Sequence, residues 1–101
     1  MVANISSEIG SIALRREFRT PSYAIGKAAQ NMATSLLSQA LAPRGIKVVA
    51  LHPGWVRTDM GGDNAALSVA ESAHGLLHVI DHLAPEDSGR FLDWQGRPLP
   101  W

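Results

Sequence analysis

Thr20-Pro21, with Tyr23-Ala24-Ile25-Gly26-Lys27 just behind it, opens a helix that Pro43 and Gly45 close; Lys47-Val48-Val49-Ala50-Leu51 then runs up to Pro53-Gly54. Threonine at the N-cap and proline at the first helical position form a helix start. Proline and glycine past the last apolar position form a stop, so the spacing predicts a helix over 21–42. The β-branched run after it has no polar alternation, which is the pattern of a strand covered on both faces. Working outward, residues 1–6 carry Val2 and Ile5 and read as a short strand. Residues 8–20 read as a surface loop, heavily charged at Arg15-Arg16-Glu17-Phe18-Arg19. Downstream, Ser68-Val69-Ala70-Glu71 is a capping box. The helix it opens carries Val69, Ala73, Leu76, Leu77, Ile80 and Leu83 as one apolar stripe. Gly89 to Trp94 reads as a last strand and Gln95-Gly96 as a turn. Strand–helix–strand–helix–strand predicts an α/β unit with three parallel strands near 2–6, 47–52 and 90–94, joined by right-handed crossovers.

Tyr23 and Lys27 lie four residues apart and project from one helix face. An ammonium close to a phenol stabilises the phenolate and makes it a usable proton donor or acceptor near working pH. A hydroxyl brought in from another segment, Ser6 or Ser7, can hold the oxygen being protonated. The order Ser6-Ser7, then Tyr23-x-x-x-Lys27, then Pro53-Gly54 resembles the catalytic half of the short-chain dehydrogenase/reductase family. Val2-Ala3-Asn4-Ile5-Ser6-Ser7 looks like that family's strand ending in its serine, and Gly10-Ser11-Ile12-Ala13 like the loop after it. Ala42-Pro43-Arg44-Gly45-Ile46-Lys47-Val48 looks like the helix-to-strand return. Ser88-Gly89-Arg90-Phe91-Leu92-Asp93-Trp94-Gln95-Gly96 and the ending Leu99-Pro100-Trp101 are similar to the C-factor and sniffer-like carbonyl-reductase branch.

The resemblance implies a three-stranded parallel portion of a Rossmann-like doubly wound sheet, with residues 1–101 as a single partial domain. It implies reduction of a small carbonyl compound, or oxidation of an alcohol, with NADP or NAD. Tyr23 would be the general acid. Lys27 would tune that tyrosine and hold the nicotinamide ribose, and Ser7, the second of its pair, would hold the substrate oxygen. Pro53, Gly54, the backbone near Val56, and Thr58 would meet the nicotinamide carboxamide and pyrophosphate. Trp55 lines the substrate site or joins the core. The glycine-rich turn that receives a pyrophosphate at a helix N-terminus matches no stretch of the chain, and Gly61-Gly62 opens no βαβ unit. The family's Asn-Asn-Ala-Gly motif and helix-borne asparagine find no match either, so the chain reads as the second half of such a fold without its N-terminal nucleotide-binding half.

The composition agrees with a globular domain: 101 residues, 46% apolar, with formal net charge zero. Zero net charge gives no electrostatic reason to bind nucleic acid or an anionic membrane. No apolar run approaches the roughly 20 residues a bilayer requires. Cysteine is absent, which removes disulfides and thiolate metal sites and fits a cytoplasmic location. His74, His78 and His82 recur every four residues, but nothing is placed to complete a metal shell, and they read as a solvated face with no metal. The 21–42 helix carries two apolar stripes, Ala28-Met32-Leu36 and Ala29-Ala33-Leu37-Leu41. Such a wide arc asks for cover beyond the sheet, and the equivalent helix of the family builds a subunit interface, implying a homo-oligomer. Two readings follow: an NAD(P)-dependent oxidoreductase, or a non-catalytic fragment or interaction module that keeps these residues by descent.

Overall fold

The computed structural model describes residues 1–55 and 67–101. In chain order it contains β1 (Val2–Ile5), α1 (Pro21–Leu41), β2 (Val48–His52), α2 (Val69–Asp81), β3 (Phe91–Asp93) and β4 (Pro98–Leu99). Short 3₁₀ turns occupy Glu8–Gly10, Ala42–Arg44 and Pro85–Asp87. The sheet order is β1-β2-β3-β4. The first three strands are parallel, with Val2 opposite Val48 and Ala50 opposite Phe91. The fourth is antiparallel, Phe91 facing Leu99, and adds to the three strands expected. Two residues that begin with Pro98 carry no period of their own, and proline is tolerated only because this strand is an edge. The turn before it makes the strand: the Asp93 carboxylate accepts from the Gln95 and Arg97 N–H groups and from Arg97 Nε at 2.8–2.9 Å. Gly96 supplies the positive φ of 83°.

β2 is the centre, with Val48 to Leu51 fully buried. Burying each valine or leucine among them stabilises the fold by about 1.5–3 kcal/mol. Alternation along the strands sends Ala3, Val49, Leu51 and Leu92 to one face, where Val79 of α2 and Leu83 just beyond it close the core. Asn4 and Ser6 point the other way and hydrogen-bond to Thr34 and Asn31 of α1. The two helices therefore lie on opposite faces of the sheet, the doubly wound arrangement. Since β1→β2 and β2→β3 step in the same direction, helices on opposite faces give the two connections opposite hands. The expectation of two right-handed crossovers thus fails for one of them. α2 is held on its face by specific contacts: Ser72 Oγ donates to the Pro53 carbonyl at 2.6 Å, and Trp94 fills the space a Cβ at Gly54 or Gly75 would need.

The capping box at Ser68 and Glu71 is formed in both directions. Half of the predicted α2 stripe, Leu76, Ile80 and Leu83, packs on the core, while Val69, Ala73 and Leu77 are exposed and Ser72 and Val79 face the sheet instead. Thr20 does stand at the α1 cap, and its carbonyl accepts from Ala24 N–H. Its side chain makes no capping bond; its backbone sits in the left-handed region at φ 42° and not in the extended conformation usual for an N-cap. α1 turns polar residues, Asn31, Thr34 and Ser38, toward the sheet and leaves Ile25, Met32, Leu36 and Leu37 exposed. Among the described residues no helix is long and apolar enough to cross a membrane.

Candidate active site

β1 ends at a turn, and that turn sets the serine pair apart. Ser6 is buried, and its Oγ donates to Asn31 Oδ1. Ser7, with the extended φ of −156°, caps the 3₁₀ turn Glu8–Gly10: its Oγ accepts from Ile9 N–H at 3.2 Å. Ser7 lines a cavity of about 690 Å³ together with Ser11, Leu14, Arg15, His52, Gly54 and Trp55. Glycine is required at the end of the turn. A Cβ at Gly10 would meet the Lys27 carbonyl carbon and Cβ at 2.8 Å and Ala28 N at 2.9 Å. The serine-bearing turn thus rests directly on the backbone of α1 at Lys27.

Tyr23 and Lys27 are brought together by the helix as the spacing predicts. The Lys27 ammonium lies 5.5 Å from the Tyr23 ring centroid. Tyr23 is half-exposed on the first turn of α1 and stands outside the lining of the Ser7 cavity. Lys27 Nζ also approaches Gln30 Oε1 at 3.4 Å, and Gln30 Nε2 donates to the Ile5 carbonyl at 2.9 Å. Gln30 therefore ties the lysine to the end of β1. The sequence reading passed over this link, although i,i+3 spacing from Lys27 was a signal for it. Asn31 was missed too; its Nδ2 is buried with no hydrogen-bond partner among the described residues.

At the end of β2, Pro53 and Gly54 follow the strand as expected. Gly54 adopts φ 84°. Its open side is filled by protein, since a Cβ there would meet Leu67 Cδ2 at 2.7 Å and Trp94 Cδ1 at 2.9 Å. Trp55 is exposed and lines the cavity. Val56 and Thr58 lie outside the described residues. His52 is the last residue of β2, directly before Pro53-Gly54. Its Nδ1 accepts from Glu8 N–H at 3.1 Å, and its Nε2 lies 3.7 Å from the Glu8 carboxylate. Burial holds its pKa below the ordinary value of 6.5, against the opposing pull of the Glu8 and Asp93 carboxylates. On α2, His78 and His82 stack at 4.1 Å, and His82 Nδ1 lies 2.8 Å from the His78 carbonyl. Among the described residues no group of three His, Cys, Asp or Glu is arranged to hold a metal.

A hydroxyl in a cavity, a tyrosine beside a lysine and a Pro-Gly turn at a strand end thus stand on one doubly wound sheet. The chain belongs to the short chain dehydrogenase family, whose profile matches residues 1–67. It is 49% identical over 100 residues to the C-signal protein of Myxococcus xanthus, covering 99% of this chain and 60% of that protein. The structure superposes on the carbonyl reductase Sniffer of D. melanogaster with a TM-score of 0.95 at 41% identity, covering 98% of this chain and 40% of that one. An NADPH-bound carbonyl reductase from chicken fatty liver gives 0.89 at 45% identity, with 98% and 42% covered. The chain spans 60% of the C-signal protein and less than half of the two carbonyl reductases.

Proposed function

We propose that this chain is the catalytic portion of an NADP- or NAD-dependent carbonyl reductase. The observation that carries the proposal is the packing of the Ser7 turn onto Lys27 through Gly10, with the Lys27 ammonium beside the Tyr23 ring. This packing ties the Ser7 turn to the helix that carries Tyr23 and Lys27, which supports reading the three as one site. A nicotinamide dinucleotide supplies the hydride when bound. The residues present suit its ribose: Lys27 has three donor hydrogens and one long contact to Gln30, so donors remain for a ribose diol. Val56 and Thr58 complete the proposed cofactor contacts with Pro53 and Gly54. The NADPH in the chicken enzyme supports this choice of cofactor.

Ser7 holds the substrate oxygen. Its own oxygen already accepts from Ile9 N–H, so its hydrogen is left to donate into the cavity. As the carbonyl carbon gains hydride, negative charge develops on that oxygen, and a hydrogen bond is stronger to the alkoxide than to the carbonyl. Tyr23 then delivers its phenolic proton to the oxygen, and the Lys27 charge stabilises the phenolate left behind. Proton transfer of this kind contributes about 10²–10⁴-fold to the rate. The same steps reversed oxidise an alcohol. The exposed apolar face of α1 supports a homo-oligomer as the working form, with Ile25, Met32 and Leu36 in the contact.

The test is a chimera in which these 101 residues replace the matched segment of the chicken enzyme, assayed with NADPH and an aromatic aldehyde. We expect turnover that Tyr23→Phe reduces by about 10²–10⁴-fold. A Tyr23→Phe chimera as fast as its parent would refute the assignment.

A further inference from the structure

We propose that His52 is a positioning residue for Ser7: its neutral imidazole accepts the Glu8 N–H and thereby fixes the turn that aims the Ser7 hydroxyl into the cavity. The inference rests on the reading of Ser7 as the group that holds the substrate oxygen. The first N–H groups of any helical turn have no partner within the turn. Here the two that matter are satisfied from different sides. Ile9 N–H goes to Ser7 Oγ at 3.2 Å, and Glu8 N–H goes to His52 Nδ1 at 3.1 Å. Both bonds depend on the same three-residue turn, so losing the second loosens the first. Arg15 grips the far side, donating to the Ile9 carbonyl at 2.6 Å. Gly10 is pressed on Lys27. Ser7 is therefore bracketed by β2, by α1 and by the 8–20 loop. Among these contacts only the one from β2 uses a group that titrates near neutrality.

The bond also fixes the tautomer. Nδ1 accepts, so the ring hydrogen is on Nε2, which faces the Glu8 carboxylate at 3.7 Å. Adding a second proton places a hydrogen on Nδ1 and removes the acceptor for Glu8 N–H. The charged groups around the ring are Glu8 from the turn and Asp93 from β3, both favouring the proton. Across the cavity lie Arg15, Arg16, Glu17 and Arg19. Burial of the ring disfavours the proton and is the largest influence, so the neutral, accepting form prevails at neutral pH. Acidification thus releases the turn and, with it, the Ser7 hydroxyl.

Asparagine places its Oδ1 where a histidine places Nδ1, so His52→Asn keeps the acceptor without the titration, whereas His52→Ala removes both. The experiment is ¹⁵N NMR of the 101-residue chain and these two variants. In the unsubstituted chain at pH 7.5 we expect Nδ1 as the unprotonated ring nitrogen and a single Ser7 χ1 rotamer. The Glu8 amide shift should follow the His52 titration. In His52→Ala, Glu8 and Ile9 amide exchange should quicken about tenfold, the loss of one hydrogen bond, and Ser7 should populate several rotamers. His52→Asn should restore both, at every pH. Ser7 rotamer and Ile9 exchange unmoved in His52→Ala would overturn the inference, as would a His52→Asn variant behaving like alanine. If the alanine variant does not fold, the pH titration of the unsubstituted chain decides: an Ile9 amide indifferent to His52 protonation overturns it. None of these readouts requires turnover, so an inactive chimera counts against the oxidoreductase reading alone, and an indifferent Ser7 turn against this inference alone.

Discussion

Alanine at Gly10 and alanine at Gly26 are the same chemical change at a tight contact and at an open helix position, and they should have opposite signs. At Gly10 the new Cβ would sit 2.8 Å from two carbon atoms of Lys27 and 2.9 Å from Ala28 N. These include backbone atoms of a helix, so they cannot rotate away. Ordinary carbon contacts begin near 3.5 Å, so the turn must retreat from α1 by about 0.5–1 Å. Overpacking of this kind costs about 1–3 kcal/mol. For a domain of this size that lowers Tm by about 4–8 °C per kcal/mol. The displaced element carries Ser7, and an error of about 1 Å in a reacting geometry costs about 10²-fold in rate. At Gly26 a Cβ meets nothing within 4 Å. The residue is exposed inside α1, so alanine there should stabilise by about 0.5–1 kcal/mol through helix propensity. The assay is urea unfolding of Gly10→Ala and Gly26→Ala beside the parent, with turnover of both in the chimera. A Gly10→Ala protein as stable as its parent, or one that is less stable but keeps full turnover, would refute the packing of the serine turn on Lys27.

Three further outcomes follow from the same structure. Ser68→Ala removes half of the α2 capping box and should lower stability by about 1 kcal/mol, read from the urea midpoint with unchanged slope. Asp93→Ala should free the Gln95 and Arg97 N–H groups, detach β4 and disturb the stacking of Phe91 on Trp101 at 5.4 Å, a change visible in near-ultraviolet circular dichroism. The pH dependence has a definite sign. His52 has a folded pKa below 6.5, so the unfolded chain binds more protons in the window between the two values. Its contribution is complete above about pH 6.5 and is lost as pH falls through the folded pKa; urea midpoints of the parent should drop there relative to those of His52→Asn.

Several local signals in the sequence match the structure, although the Thr20 side chain does not cap α1. Pro21 and Gly45 bracket α1, Ser68 and Glu71 open α2, and the β-branched run of β2 is the fully buried strand. Alternation along β1 separates Ser6, turned to α1, from Ser7, turned to the cavity. What escaped was set by partners distant in sequence. The α2 stripe counted apolar residues, but the face of a helix is fixed by what it meets: Trp94 needs Gly75, and Ser72 is drawn in by the Pro53 carbonyl. α1 inverts the usual rule, burying Asn31 and Thr34 because Ser6 and Asn4 of β1 offer them hydrogen bonds. β4 is two residues long and depends on the Asp93 carboxylate. His52 adjoins Pro53-Gly54 in the sequence, yet its contact is visible only when Glu8 is found across from it.

Tyr23 is proposed to supply the proton with the Lys27 charge beside it, and single-turnover hydride transfer in the chimera tests this most directly. With NADPH bound and an aromatic aldehyde as substrate, Tyr23→Phe should lower the rate by about 10²–10⁴-fold, the contribution of a positioned proton donor. Lys27→Met should lower the rate as well, because the charge that stabilises the phenolate left behind is gone. A rate unchanged in Tyr23→Phe or in Lys27→Met would contradict the account.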